Sequence, residues 1–384
     1  MNIILHDLDA HLDFAPLSLT RPVGNLRMGI FTNDERWRMF LPNATVSFST
    51  SDYLSEKYAE QRSVDNLWID ARVIPSRELI EILETLKSDC RLFINDRFVA
   101  YRGGDFSEKG ERVDFKLEDF ITIDQRWELY QKNALVLEQD FKLATHRRVS
   151  KSLPSSCTLI GSEEKLYIAP SAKVEGAIFN TENGSIYIGD EAEVMEGSLI
   201  RGGLALCDHG VLKMGAKVYG ATTIGPYCKV GGEVNNVLFQ AYSNKGHDGF
   251  LGNSVVGCWC NLGADTNTSN LKNNYGVVKT YNYTKKAFTQ TDIQFMGVLM
   301  GDYAKCGINT MFNTATVIGT GAVIFGSGFP PKHVKSFAWG GFDGTDKMVL
   351  EKAFEAADNM MVRRNLALTP HEKNILTRLH EEEF

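Results

Sequence analysis

The run Ser243-Asn-Lys-Gly-His-Asp-Gly-Phe-Leu-Gly sets one histidine, His247, between Gly246 and the pair Asp248-Gly249. Imidazoles titrate near neutrality, so a histidine presented beside a substrate amine can act as a general base. A polar surface histidine is the plainer reading of the same residue. The flanking glycines, which let backbone amides approach a ligand, favour the functional one. Lys245, Lys272 and Lys279 stand in this run or in the stretch after it and could meet a phosphate.

A second group, His6, Asp7, Asp9 and His11, lies near the start of the chain. Carboxylates and imidazoles at this spacing could hold a metal ion, but a solvated acidic loop needs no ion and is the reading adopted. Cys258 and Cys260 are two thiols one residue apart without nearby partners, too few for a zinc site. No metal is therefore expected.

The elements that must carry His247 are read from a period of six. Ile188, Val194, Ile200, Leu206, Leu212, Val218, Ile224 and Val230 open successive hexapeptides from Ile188 to Gly232, with mostly small residues four places later. Three sixes make one triangular coil of about eighteen residues whose opening aliphatics stack inward, roughly 4.8 Å apart. A β-sandwich has no reason to keep so strict a period. The frame returns at Phe250, Val256 and Leu262, then at Met300, Cys306, Phe312, Ile318 and Ile324. Val230 to Phe250 and Leu262 to Met300 each exceed a multiple of six by two, which predicts looped-out segments carrying His247 and Asn270. A weaker start at Ile168 and Val174 puts the first coil near residue 166.

The fold class expected is mixed: an N-terminal α/β domain over residues 1–155, a left-handed parallel β-helix over 160–344 and a helical tail over 345–384. In the first part Asn2 to Leu5 reads as a strand, Arg77 to Leu86 has helical spacing, and Asn95-Asp96 marks a hairpin. Ser152 to Ser156 is the linker. Met348 to Asn365 is amphipathic, and Thr369-Pro-His-Glu supplies an N-cap, a proline at the first helical position and a glutamate at the third. A β-helix has open backbone edges at both ends, so the α/β domain and the tail are expected to cover them.

At 384 residues with a net charge of −7, the chain is long enough for two domains and too acidic for a nucleic-acid partner. No apolar run reaches membrane-spanning length, and the first residues lack the features of a signal peptide. Five of the seven cysteines fall in the repeat region as small packing residues, which fits a reduced, cytoplasmic protein.

From Gly232-Glu-Val-Asn to Asn261-Leu-Gly-Ala-Asp-Thr-Asn-Thr-Ser-Asn the chain resembles the acetyltransferase half of the bifunctional N-acetylglucosamine-1-phosphate uridyltransferase / glucosamine-1-phosphate acetyltransferase family. Gly246-His247, Phe250, Leu251-Gly252, Asn261 and Asn270 carry the likeness. The whole chain is similar to a Bacteroidota-type family of sugar nucleotidyltransferases related to that enzyme. The resemblance implies acetyl transfer from acetyl-CoA to an amino sugar phosphate, in a homotrimer with sites between subunits. His247 would be the base and Glu233 would orient it. Lys217, Asn235, Phe250, Asn261, Asn270 and Lys272 would meet the sugar phosphate. Lys217 keeps the charge of an arginine but not its fork, while Asn235 replaces a lysine, and Phe250 and Leu271 replace tyrosines.

The N-terminal likeness rests on Pro16, Leu17, Ser18, Arg21 and Pro22, and implies a degenerate nucleotidyltransferase-like domain. The glycine-rich phosphate loop is missing and Val23 replaces a lysine. Arg21 and Arg27 remain as nucleotide contacts, with Mg2+ and a nucleoside triphosphate needed only if this domain is active. The alternatives are a sugar-1-phosphate nucleotidyltransferase whose β-helix trimerises it, and a trimeric scaffold without activity.

Overall fold

A computed structural model describes residues 1–382 of the chain. Its N-terminal part holds a six-stranded sheet in the order Thr45–Ser49, Asn2–His6, Asn66–Asp70, Arg97–Gly103, Cys90–Ile94, Glu111–Phe115. The first three run parallel, and Arg97–Gly103 is antiparallel to both neighbours. Asn95 and Asp96 both take positive φ, the backbone a two-residue hairpin with the sheet's own twist demands. Helix Arg77–Thr85 forms where the spacing predicts it, and Ser76 caps it by accepting from the Leu79 amide.

The rest is a left-handed parallel β-helix of three faces. All eight opening aliphatics from Ile188 to Val230 are buried inside it, as are Met300, Cys306, Phe312, Ile318 and Ile324. The coil starts earlier than residue 166, with strand Thr158–Ile160 paired to Ile178–Asn180.

The frame between these runs differs from expectation. Leu251, paired with Val234, points inward, and Phe250 points outward beside Glu233. Nothing is looped out before Phe250. The corner at Gly231-Gly232, between inward Val230 and Val234, is shortened by two residues and that at Asn235-Asn236 by one, and the corner at Gly252-Asn253 is shortened in the same way after Phe250. Asn236 and Asn253 turn the chain at positive φ within the continuous strands Glu233–Phe239 and Phe250–Val256. The excursion after Thr268 is real. It carries the antiparallel hairpin Lys279–Asn282 and Ala287–Gln290 before the coil resumes at Val298–Met300.

The α/β domain does not cover an end of the β-helix. It lies along one face, where the outward residues Leu238, Val255 and Leu299 stand in register and join its core beside Phe14, Leu17 and Val136. Those strands are apolar on both sides, as expected for a sheet buried on both faces. The antiparallel strand Gly344–Lys347 closes the last coil by pairing with Ala338–Gly341. Tail helix Leu350–Val362 and helix Pro370–Glu381 pack at the junction of domain and coil, with Leu376 and Met361 beside Trp259, Leu19 and Leu54. Thr369 and Glu372 form the expected capping box. Among the described residues no helix is long and apolar enough to cross a membrane.

Candidate functional site

Pairing of adjacent coils brings Lys217, Glu233 and Phe250 into one outward row. The phenol of Tyr219 donates to Glu233 Oε1 at 2.5 Å, and this bond, helped by burial, pushes the phenol's pKa up to about 12. Two residues along the same strands, Tyr219 pairs with Asn235 and Asn235 with Gly252. A Cβ on Gly252 would lie 2.6 Å from Phe250 Cζ and 2.7 Å from Asn270 Nδ2. The ring and the amide therefore close over Gly252, and Asn235, Phe250 and Asn270 converge there.

His247 sits exposed on the corner between strands Asn244–Lys245 and Phe250–Val256. The corner lies tight on the preceding coil: a Cβ on Gly232 would come within 2.8 Å of the His247 carbonyl oxygen and of Asp248 Cα. Such closeness requires glycine, and Gly232 and Gly249 both have positive φ. The Glu233 amide donates to the Gly249 carbonyl at 3.3 Å, which ties the base's corner to the start of the row. The expected contact of the Glu233 carboxylate with His247 is not made, because the carboxylate turns to Tyr219.

The remaining predicted residues are placed elsewhere. Asn261 is exposed on a different face of the coil, between Asn244 and Lys305. Lys272 Nζ donates to the Val277 carbonyl at 3.3 Å within the excursion, whose hairpin also carries Lys279. Lys245, expected in a looped-out segment, stands on the inner ladder in register with Val230.

Arg21 and Arg27 are both committed to internal partners. Arg21 Nη2 donates to Asp302 Oδ2, which also accepts from Thr20 Oγ1 at 2.7 Å. The ion pair raises the guanidinium pKa well above its ordinary value against the opposing effect of burial. Arg27 Nη2 donates to Glu35 at 3.1 Å, while its backbone amide donates to Gln240 Oε1 at 2.7 Å. Asp7 is buried rather than solvated: it accepts from Thr50 Oγ1 at 2.5 Å and from the Val23 amide at 3.0 Å. The described residues contain no metal-binding cluster of three or more histidine, cysteine or acidic side chains.

Sequence reasoning missed an amide ladder. Asn270 Nδ2 donates to Asn253 Oδ1 at 2.7 Å. With the Asn236 amide oriented to donate to the Ala221 and Tyr130 carbonyls, its oxygen accepts from Asn253 Nδ2 at 3.1 Å. The signal was present in the spacing, since seventeen residues separate each asparagine from the next. The ladder fixes Asn270 against its neighbours, with the same Nδ2 lying beside Gly252.

A cavity of about 330 Å³ opens in the α/β domain and is lined by Leu8, Asp9, Asp13, Arg72, Arg91 and Phe106 among others. It lies beyond the carboxyl ends of Asn2–His6 and Asn66–Asp70, the usual place for a ligand in a parallel sheet. Burial raises the Asp13 carboxyl pKa, with Arg72 and Arg126 opposing.

Residues 3–149 match the family model described as sugar nucleotidyl transferase. No curated protein matches the chain. Among solved structures, the chain is similar to the polySia-specific acetyltransferase NeuO, at 11% identity and TM-score 0.26 over 50% of this chain and 82% of that one. A putative acetyltransferase of Bacillus cereus gives 13% identity and TM-score 0.25 over 59% and 98%. The N-acyltransferase AntD of Bacillus cereus, solved with dTDP and coenzyme A, gives 12% identity and TM-score 0.24 over 53% and 91%.

Proposed function

We propose that the protein transfers an acetyl group from acetyl-CoA to the amine of a sugar phosphate such as glucosamine-1-phosphate, in nucleotide-sugar (UDP-N-acetylglucosamine-like) biosynthesis. The observation that carries this reading is the exposed His247 on a glycine corner, backbone-bonded to the coil edge where Glu233, Asn235, Phe250 and Asn270 gather. The sugar amine attacks the thioester carbonyl, a ring nitrogen of His247 takes the amine proton, and the sulfur leaves as a thiolate that is then protonated. Lys217, outward in the row beside Glu233, supplies charge for the phosphate. Phe250 offers a ring face and Asn270 its side-chain amide to the sugar. A homotrimer, with a neighbouring copy bringing its own residues to this edge, and a cytoplasmic location belong to the same proposal.

Purified protein given glucosamine-1-phosphate and acetyl-CoA is expected to release free thiol. Absence of release, or release unchanged by His247→Ala, rejects the reading.

A second reading, sugar nucleotidyl transfer, is favoured by the match over residues 3–149 and by the cavity beside Asp13, Arg72 and Arg91. UTP with N-acetylglucosamine-1-phosphate tests it. Pyrophosphate release that Arg72→Ala abolishes would put the nucleotide in that cavity.

A further inference from the structure

Lys245 occupies a place that the coil otherwise gives to apolar side chains. Its ladder partner in the preceding coil is Val230, its neighbour Asn244 pairs with Asn261 in the next, and it is 1% exposed. A charged amine there is strongly disfavoured unless its donors are met. Lys245 Nζ donates to the carbonyl oxygens of Gly231 at 3.0 Å and His247 at 2.9 Å.

Comparison with the other coils shows what this replaces. At three corresponding corners a hydroxyl satisfies the first corner carbonyl: Ser198 Oγ donates to Met195 at 2.8 Å, Thr266 Oγ1 to Gly263 at 2.7 Å and Thr310 Oγ1 to Gly307 at 2.8 Å, whereas Ala177 and Ala216 stand at the same place without one. The pairing of amides to carbonyls between coils makes Gly232 and Gly249 the equivalents of those hydroxyl residues. Neither can carry a hydroxyl, since a Cβ on Gly249 would lie 2.3 Å from the Thr266 carbonyl oxygen and one on Gly232 would strike Asp248. The corner that presents His247 thus has no hydroxyl tie of the kind made at Ser198, Thr266 and Thr310, and Lys245 provides another.

We propose, building on the acetyl-transfer reading, that Lys245 is the positioning residue for His247: its buried amine bridges the Gly231 and His247 carbonyls and so fixes the corner from which the imidazole projects. The charged and titratable groups around it are Asp248, Asp265, Cys306 and Glu233, all acting through space without a hydrogen bond to Nζ. Burial outweighs them and brings the ammonium pKa down to about 8. Below that pH three N–H donors serve two carbonyls with full charge; above it the tie weakens.

The test compares wild-type protein with Lys245→Met, which keeps length and removes the donors. Amide hydrogen exchange over residues 229–250, corrected for intrinsic rate, is expected to quicken about tenfold in Lys245→Met while residues 188–212 keep their protection. In wild-type protein the same segment is expected to lose protection as pH rises through about 8, with Lys245→Met insensitive. Thiol release by Lys245→Met should show kcat lowered about tenfold with KM little changed, as a misplaced base predicts. Exchange at 229–250 unchanged in Lys245→Met, or loosened equally throughout the coil, overturns the proposal. If neither protein releases thiol, the acetyl-transfer reading fails, and local exchange alone decides whether Lys245 holds the corner.

Discussion

Tyr219 and Glu233 stand on adjacent coils, and the phenol of the first donates to the carboxylate of the second at 2.5 Å. The phenol therefore holds its proton more tightly in the folded chain than in the unfolded one. Between pH 10 and about 12 the folded state binds the extra proton, so stability falls as pH rises through that window. In Glu233→Gln the tyrosinate absorbance attributable to Tyr219 is expected to rise at lower pH than in wild-type protein. An unchanged titration would mean that the bond does not govern this phenol.

His247→Ala is expected to reduce thiol release by about a hundredfold or more, the range for loss of a general base. Because the side chain is exposed, the melting temperature should move little. A large fall in stability would instead assign His247 to holding the corner.

Asp302 receives Arg21, Thr20 and the Cys258 amide at the seam between the α/β domain and the coil. Asp302→Ala strands a buried guanidinium and is expected to cost about 3–5 kcal/mol in denaturant unfolding. Replacing both partners with apolar residues of similar size should recover part of that loss. A cost below about 1 kcal/mol for the single change would show that water reaches the pair.

Leu299 is outward on the coil yet fully buried beneath the α/β domain. Leu299→Ala should cost about 2–5 kcal/mol, comparable to an inward aliphatic. Unfolding curves by tryptophan fluorescence and by circular dichroism would show whether the loss is of that size, and a cost near zero would mean the face is not firmly docked.

The regular part of the coil was legible because sixes place Ile188 to Val230 on one inner ladder each. Legibility ended at Val234, where the Gly231-Gly232 corner loses two residues and the Asn235-Asn236 corner one, which puts Leu251 rather than Phe250 inside the coil. An aliphatic frame cannot register a corner shortened by an asparagine at positive φ, though the seventeen-residue recurrence of Asn236, Asn253 and Asn270 carried that information. His247, Glu233, Asn235, Phe250 and Asn270 were read as neighbours from resemblance, and they lie along one edge. Asn261 was not separable by spacing, because the residue that opens each six looks alike on every face. Arg21 could not be read from local sequence, since its partner Asp302 lies 281 residues away. Nor could Lys245 be told from a surface lysine by composition.

The docking of Leu238, Val255 and Leu299 into the N-terminal core has a bearing on inheritance. A recombination event in the stretch between the two halves would join an α/β domain missing part of its core to a coil with an uncovered oily face. The interface residues of both halves must then change together, so substitutions on this face should be correlated across the chain, and the pair should pass between genomes as a single unit.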